Sequence, residues 1–205
     1  VGKTAGTRKG KGEADAPLLE VLTRTLVGRE RLLGENQASL TALETGPGAT
    51  WVQSLLPDPV GRGVPWANVR MRREGGRLAG RYVWVLDDDD VCVYPRLVMD
   101  LATIVGDYAP DVVMVQMDHG EGMGVLPPAA LWGRRALGLG LVGVSAPIVR
   151  REVWAEHAWA WGDRYEGDFD FVTALLGNLR LRVYWHPVVA SRVQRVSRGS
   201  AKGGE

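Results

Sequence analysis

The sequence predicts an α/β fold with a largely parallel central sheet, and three observations carry that prediction. Short apolar, β-branched runs alternate with segments of helical period from residue 18 onward. Glycine- and proline-rich turns separate them. Threonines and aspartates follow the strand segments, at the edge where open α/β sheets bind their ligands.

The elements follow in order. "LLEVLTRTLV" (18–27) predicts a buried strand ending near Thr23 to Thr25. In "GRERLLGENQASLTALETG" the spacing of Leu33, Leu40 and Leu43 predicts a helix stopped by Gly46. "TWVQSLL" (50–56) predicts a second strand, closed by "PDPVGRG". Pro65 opens a helix through "WANVRMRRE", ended by Gly75 and Gly76. "RYVWVL" is a third strand. In "YPRLVMDLATIVG", Leu97, Leu101, Ile104 and Val105 define one helical face, with Pro95 at the start and Gly106 as the stop. "DVVMVQM" (111–117) is a fourth strand, and residues 118–140 have no clear period and predict a long functional loop. "LVGVSAPIVR" predicts a further strand, "DFVTALLGNLR" a late helix, and "LRVYWHPVVASRV" a closing strand and loop.

The 205 residues suit one domain, expected over residues 18–193, with basic, glycine-rich flexible tails at 1–17 and 194–205. A formal net charge of +1 gives no overall steer toward nucleic acid or anionic membrane. The one cysteine, Cys92, excludes an internal disulfide and a multi-cysteine zinc site. No apolar stretch is long enough to span a bilayer and no signal peptide is visible, so a cytoplasmic protein is expected. Gly2-Lys3-Thr4 matches the end of a phosphate-binding loop but lacks the preceding strand and first glycine, and carries no weight.

The strongest local signal is "YVWVLDDDD", an apolar strand that ends in Asp87, Asp88, Asp89 and Asp90. Adjacent carboxylates repel, so the run points to a cationic ligand. Mg²⁺ and Mn²⁺ prefer oxygen donors, and Mg²⁺ takes one or two carboxylates together with substrate phosphate. Asp87 and Asp89 form a D-x-D pair suited to this, which leaves Asp88 to accept hydrogen bonds from a sugar hydroxyl.

With these residues in view, "GRYVWVLDDDDVCVYPRL" resembles the D-x-D segment of nucleotide-sugar glycosyltransferases of the GT-A fold, especially family 2. "EVLTRTLVGRERLLGENQASLTAL" is similar to that family's first strand, nucleotide-contacting loop and first helix, which implies donor contacts from Thr23, Arg24, Thr25 and Arg29. "WVQSLLPD" resembles the second strand, whose terminal acid, here Asp58, lies near the base. "EGDFDFVTALL" resembles the Glu-Asp motif and implies Asp168 as the catalytic aspartate. Gly167 stands where a glutamate is usual, so Glu166 is left as the acceptor-side acid. "YWHPVVASRV" resembles the segment in which a histidine, here His186, completes the metal site. The resemblance spans residues 18–193 and implies a Rossmann-like α/β/α sandwich, a Mn²⁺ or Mg²⁺ cofactor, a UDP- or GDP-sugar donor and a glycan or other hydroxyl acceptor. Nucleic acid enters only as a conceivable acceptor.

The chemistry assigned to these residues is specific. A cation held by Asp89, with Asp87 assisting, would stabilise the diphosphate leaving group. Asp168 would take the acceptor's proton, and direct attack would invert the anomeric centre. Each residue also has a structural alternative: a helix cap for Asp168, a satisfied core position for His186, and core packing for the tryptophans. Trp132 and Trp161 are candidates for a sugar-stacking platform with Glu166, near Trp154 and Trp159. Arg134, Arg135, Arg150 and Arg151 offer alternative phosphate contacts. Asp170 is expected to be structural, and His119 and His157 to serve surface or packing roles, with a sugar contact beside Asp118 and Glu121 as the alternative for His119. Two rival readings are a nucleotidyltransferase of similar fold and a degenerate binding module. The single glycine of "TRTLVGRERLL" argues against the first, and the intact acid cluster against the second.

Overall fold

Residues 82–85 alternate their side chains between two cores, and that alternation organises the molecule. In the computed structural model, which describes residues 16–194 except 75, 76 and 121, Tyr82 and Trp84 face one apolar cluster and Val83 and Val85 the other. Val113 and Val115 against Val112 and Met114, and Ile148 against Val149, divide in the same way. A sheet buried on both faces needs such near-continuous apolar runs, with helices covering each side.

In chain order the elements are β1 (Leu19–Leu26), α1 (Glu30–Leu40), β2 (Trp51–Asp58), α2 (Val64–Glu74), β3 (Tyr82–Val85), β4 (Asp90–Cys92), α3 (Leu97–Tyr108), β5 (Val112–Asp118), β6 (Val125–Leu126), β7 (Pro147–Arg150), α4 (Arg151–His157), α5 (Gly167–Gly177) and β8 (Val183–Val193). Leu40 of α1 and Leu97, Val98, Leu101 and Ile104 of α3 fill one core. Met71 of α2, Val153 and Trp154 of α4, and Phe171, Val172, Leu175 and Leu176 of α5 fill the other. The sheet order is β2-β1-β3-β7-β5-β8-β4, with β6 beside β5. β1 is parallel to β2 and β3, and β5 to β8. β7 is antiparallel to both β3 and β5, so all five of those strands run in one direction. β4 runs antiparallel to β8.

This topology positions the site. The carboxyl ends of β1, β2, β3, β5 and β8 share one edge of the sheet, joined there by the amino ends of the reversed strands β4 and β7. At the opposite edge, buried Glu20 accepts the backbone N–H groups of Ala79 and Gly80 at 2.6 and 2.9 Å and fixes the entry to β3. A Cβ at Gly80 would lie 2.6 Å from Glu20, so no side chain fits that turn.

Several boundaries differ from the sequence expectation. Of the apolar positions expected for the first helix, Leu40 and Leu43 are buried and Leu33 is half-buried; Leu32 and Asn36 complete the buried stripe of α1, with Asn36 drawn inward as a hydrogen-bonding group. α3 continues past Gly106 to Tyr108 and ends on Ala109 in a left-handed conformation, φ 43°. β4 is too short to leave a periodic signal, and the strand expected over 141–150 begins only at Pro147. The tails expected to be basic and flexible, apart from residues 16, 17 and 194, and the helix stop at Gly75 and Gly76, lie outside the described residues. Among those described, no helix is long and apolar enough to cross a membrane.

Asn36 is the main support of the aspartate turn. Its Nδ2 donates to the carbonyls of Asp87 and Asp90, both at 2.9 Å, and its Oδ1 accepts from Gln53. Asn36→Ala would leave these buried groups without partners and is expected to cost about 1–3 kcal/mol of stability, read as a lowered thermal midpoint.

Candidate functional site

The chain reverses between β3 and β4 and gives the four consecutive aspartates different surroundings, with Arg24 on Asp87 and Arg29 shared by Asp88 and Asp89. Asp87 receives a two-pronged bond from Arg24, Nε to Oδ1 at 2.6 Å and Nη2 to Oδ2 at 2.5 Å. Asp88 accepts the Leu26 backbone N–H at 2.8 Å and Arg29 Nη1 at 2.9 Å. Asp89 accepts the same Arg29 nitrogen at 3.0 Å. Asp90 begins β4 and is buried. The turn's own backbone is held from outside: Gln194 donates its N–H to the Asp89 carbonyl at 2.6 Å and its side chain to that of Asp88 at 3.2 Å.

These groups line a cleft of about 410 Å³ at the strand-end edge, a size suited to a small ligand. One wall holds Arg24, Thr25, Arg29, Asp58 and the aspartates; the other holds Met117, His119, Met123, Tyr165, Glu166 and Asp168. The 118–140 segment, expected as an unbroken loop, contributes His119, Met123 and Leu126 to the lining and also forms β6 and a short 3₁₀ turn at Ala129–Leu131.

The electrostatics follow from burial. Desolvation lowers the Arg24 pKa, but the charge and hydrogen bonds of Asp87 outweigh it and leave the guanidinium more firmly protonated than usual. Burial raises Asp90 well above the ordinary carboxylate range, and the charges of Asp87 and Asp89 add to it. Asp89 is raised by burial and then by Asp87, against the pull of Arg29. Asp168 is raised by burial, with Arg24 opposing. A carboxylate whose pKa is raised is a stronger base than a free one and so better suited to accept a proton.

Asp168 stands in the first turn of α5, and Glu166, which precedes the helix, makes no side-chain cap. Asp168 Oδ1 accepts the next backbone N–H, from Phe169, at 2.7 Å, and the carboxylate faces the cleft. The departure at Gly167 has a direct cause. A Cβ there would lie 2.6 Å from the Gly162 carbonyl and 2.7 Å from Asn68 Nδ2, so a glutamate has no room. Asn68 in turn accepts Arg24 Nη1 at 2.8 Å and donates to the Arg164 carbonyl at 2.9 Å, which ties the start of α5 to the aspartate wall. Glu166 is the neighbouring acid that does reach the cleft.

Four expected site residues lie elsewhere. Thr23 is fully buried and its hydroxyl accepts Gln53 at 2.8 Å, because β1 turns that side chain beneath the aspartates. Trp161 is a core residue stacked on Phe171 at 4.7 Å, its carbonyl accepting Arg72. Trp132 packs edge-on against Trp185 at 5.0 Å, off the cleft. His186 sits beside Pro187 at a register shift in β8, 3.3 Å from Asp100 Oδ2, with burial lowering its pKa. Seven residue steps along β8 separate it from Val193 at the cleft, roughly 20 Å. Asp170 is engaged by Arg164, and His157 is satisfied by the Val153 carbonyl and Asn178. Of the alternative phosphate contacts, Arg150 pairs with Asp111 and Arg135 bonds the carbonyls of Asn178 and Leu181, both away from the cleft.

Sequence reasoning included Asp90 in the acid run without giving it a role of its own, missed Tyr165 and Met123 as lining residues, and gave His119 a surface or packing role. Tyr165 and Met123 sit in turns with no pattern. Asp58 lines the cleft as expected, and it also accepts Gly63 N–H at 2.8 Å, which shapes the entry to α2. Among the described residues no group of three or more His, Cys, Asp or Glu side chains is arranged to hold a metal ion unaided.

The fold is similar to that of TarS from S. aureus, a glycosyltransferase. TarS 1–349 matches with a TM-score of 0.61 at 14% identity, over 86% of this chain and 60% of that one. The same fragment in complex with UDP matches at 0.62 and 15%, and in complex with UDP-GlcNAc at 0.60 and 13%. The chain therefore spans about 60% of the length of these TarS fragments. No protein-family model and no curated protein matches the sequence. The likeness shows the fold, and the α/β/α sandwich with a mainly parallel sheet expected from the sequence is the architecture of this chain.

Raised carboxyl groups make a pH prediction. Asp90 binds its proton more tightly in the folded chain than in the unfolded one, so its contribution to stability falls as pH rises above about 4, the unfolded value. Asp90→Asn is expected to raise the thermal midpoint at pH 7 by a few degrees, with the gain vanishing toward pH 4; a chain of this size shifts by about 2–4 °C per kcal/mol.

Proposed function

We propose that this chain is a nucleotide-sugar glycosyltransferase whose donor binds at the aspartate wall and whose acceptor hydroxyl is deprotonated by Asp168. The observation that carries the reading is the convergence of Asp87–Asp90 and Asp168 on one cleft at the carboxyl edge of the sheet. The fold's likeness to TarS, seen in complex with UDP and UDP-GlcNAc, supports it.

On this reading Asp58 and Thr25 accompany the nucleoside, Arg24 holds Asp87 in place, and Asp88 and Asp89 face the diphosphate. The donor set suits a divalent cation that arrives with its own phosphate oxygens. Among the described residues the Asp89 carboxylate is engaged only by Arg29, through Oδ2, and one or two carboxylates suffice when substrate supplies the other ligands. His186 has no part in that set. Bound there, Mn²⁺ or Mg²⁺ would stabilise the negative charge that develops on the departing diphosphate.

The acceptor enters from the wall of Tyr165, His119 and Glu166. Asp168 removes the hydroxyl proton as the oxygen attacks the anomeric carbon from the face opposite the leaving group, so the configuration inverts. UDP- and GDP-sugars are the donor candidates, and a glycan or another hydroxyl compound the acceptor.

Calorimetric titration with UDP, GDP and their sugars, with and without Mn²⁺, tests the donor site. Binding of one nucleotide that requires metal and is lost in Asp89→Ala is expected; no binding under any condition would leave a degenerate binding module as the better description. Asp168→Asn is expected to keep donor affinity while slowing transfer about 10²–10⁴-fold, followed by release of the nucleoside diphosphate.

A further inference from the structure

The two arginines of the site hold their aspartates in unequal ways. Arg24 rises from within β1, is nearly buried, and directs Nε, Nη1 and Nη2 to Asp87 and Asn68. Arg29 stands on the short turn between β1 and α1, directly after Gly28 at φ 83°, and its side chain is 36% exposed. A single nitrogen, Nη1, bridges Asp88 Oδ1 and Asp89 Oδ2. Its Nε and Nη2 have no protein acceptor among the described residues, and the side chain lines the cleft.

Resting on the glycosyltransferase reading, we propose that Arg29 is a tethered cation that closes Asp88 and Asp89 to a divalent ion until a diphosphate draws its guanidinium away. A guanidinium fork matches two phosphate oxygens as well as it matches carboxylates. When the diphosphate arrives, Arg29 exchanges carboxylate for phosphate, and the oxygens it leaves become available to the ion that accompanies the substrate. Arg24 has no such freedom: moving it would strand a buried charge. The arrangement makes metal and nucleotide binding mutually dependent, since whatever loosens Arg29 for one ligand favours the other to the same degree. Arg29 is thus a positioning residue for the ion, and the cost of separating the acids from their cation falls on the step at which substrate is present to replace it.

The test uses Mn²⁺ alone, without nucleotide, followed by loss of the free-ion electron paramagnetic resonance signal on the full chain. Wild type is expected to bind weakly, and Arg29→Ala to bind roughly tenfold tighter or more, within the usual range of coupling between linked sites. Arg29→Lys, which keeps the charge, is expected to restore weak binding. Arg29→Gln serves in place of the alanine variant if the latter loses its native circular dichroism melt. Equal Mn²⁺ affinity in wild type and the uncharged variants, whether tight or undetectable, would overturn the proposal. UDP and GDP binding to wild type with Mn²⁺ is measured separately. Its absence would refute the nucleotide-sugar reading, while the comparison without nucleotide still decides the role of Arg29.

Discussion

The pairing of Arg24 with Asp87 is the interaction on which the rest of the site depends. A guanidinium taken out of water is costly by itself, and so is a carboxylate beside three others. Each makes the other tenable, with both oxygens of Asp87 engaged. The third contact of Arg24, to Asn68, carries the constraint into α2, and Asn68 passes it to the Arg164 carbonyl just ahead of α5. One buried cation therefore links the aspartate turn that follows β3 to the start of α5.

The remaining aspartates are less fully matched. Asp87–Asp90 and Asp168 face the cleft with Arg24 and Arg29 as their arginine partners. Asp88, Asp89, Asp90 and Asp168 are all raised above the usual carboxylate range, with burial as the first cause. Their ionisation is resisted rather than favoured by the fold. Such a site gains most from a ligand that brings positive charge with it, and it holds the Asp168 carboxyl on the same cleft as the aspartate turn.

Legibility from sequence tracked periodicity. The strands read clearly because a sheet covered on both faces demands uninterrupted apolar runs, and the aspartates read clearly because no core would choose them. Side-chain direction was less accessible. Thr23 and Thr25 share a face of β1 by simple alternation, yet only the second reaches the cleft, since the strand end lifts it clear of Gln53. Trp161 lies seven residues before Asp168 in sequence and looked available for stacking, but it packs in the core with Trp154 and Phe171. His186 follows a motif order that the register shift around Pro187 breaks. Asn36 was hidden because a polar residue on an amphipathic helix is expected outside, whereas here it is drawn in by two backbone carbonyls that nothing local announces.

The tight contact at Gly167 bears on how this molecule can change. With the Gly162 carbonyl and Asn68 within 3 Å of where a Cβ would stand, the position admits no side chain unless its neighbours move. Moving Asn68 would take one of its three contacts from Arg24. A side chain at this place comes only with movement of its neighbours, so change at this end of the cleft falls more readily on Glu166, Tyr165 and the 118–140 segment.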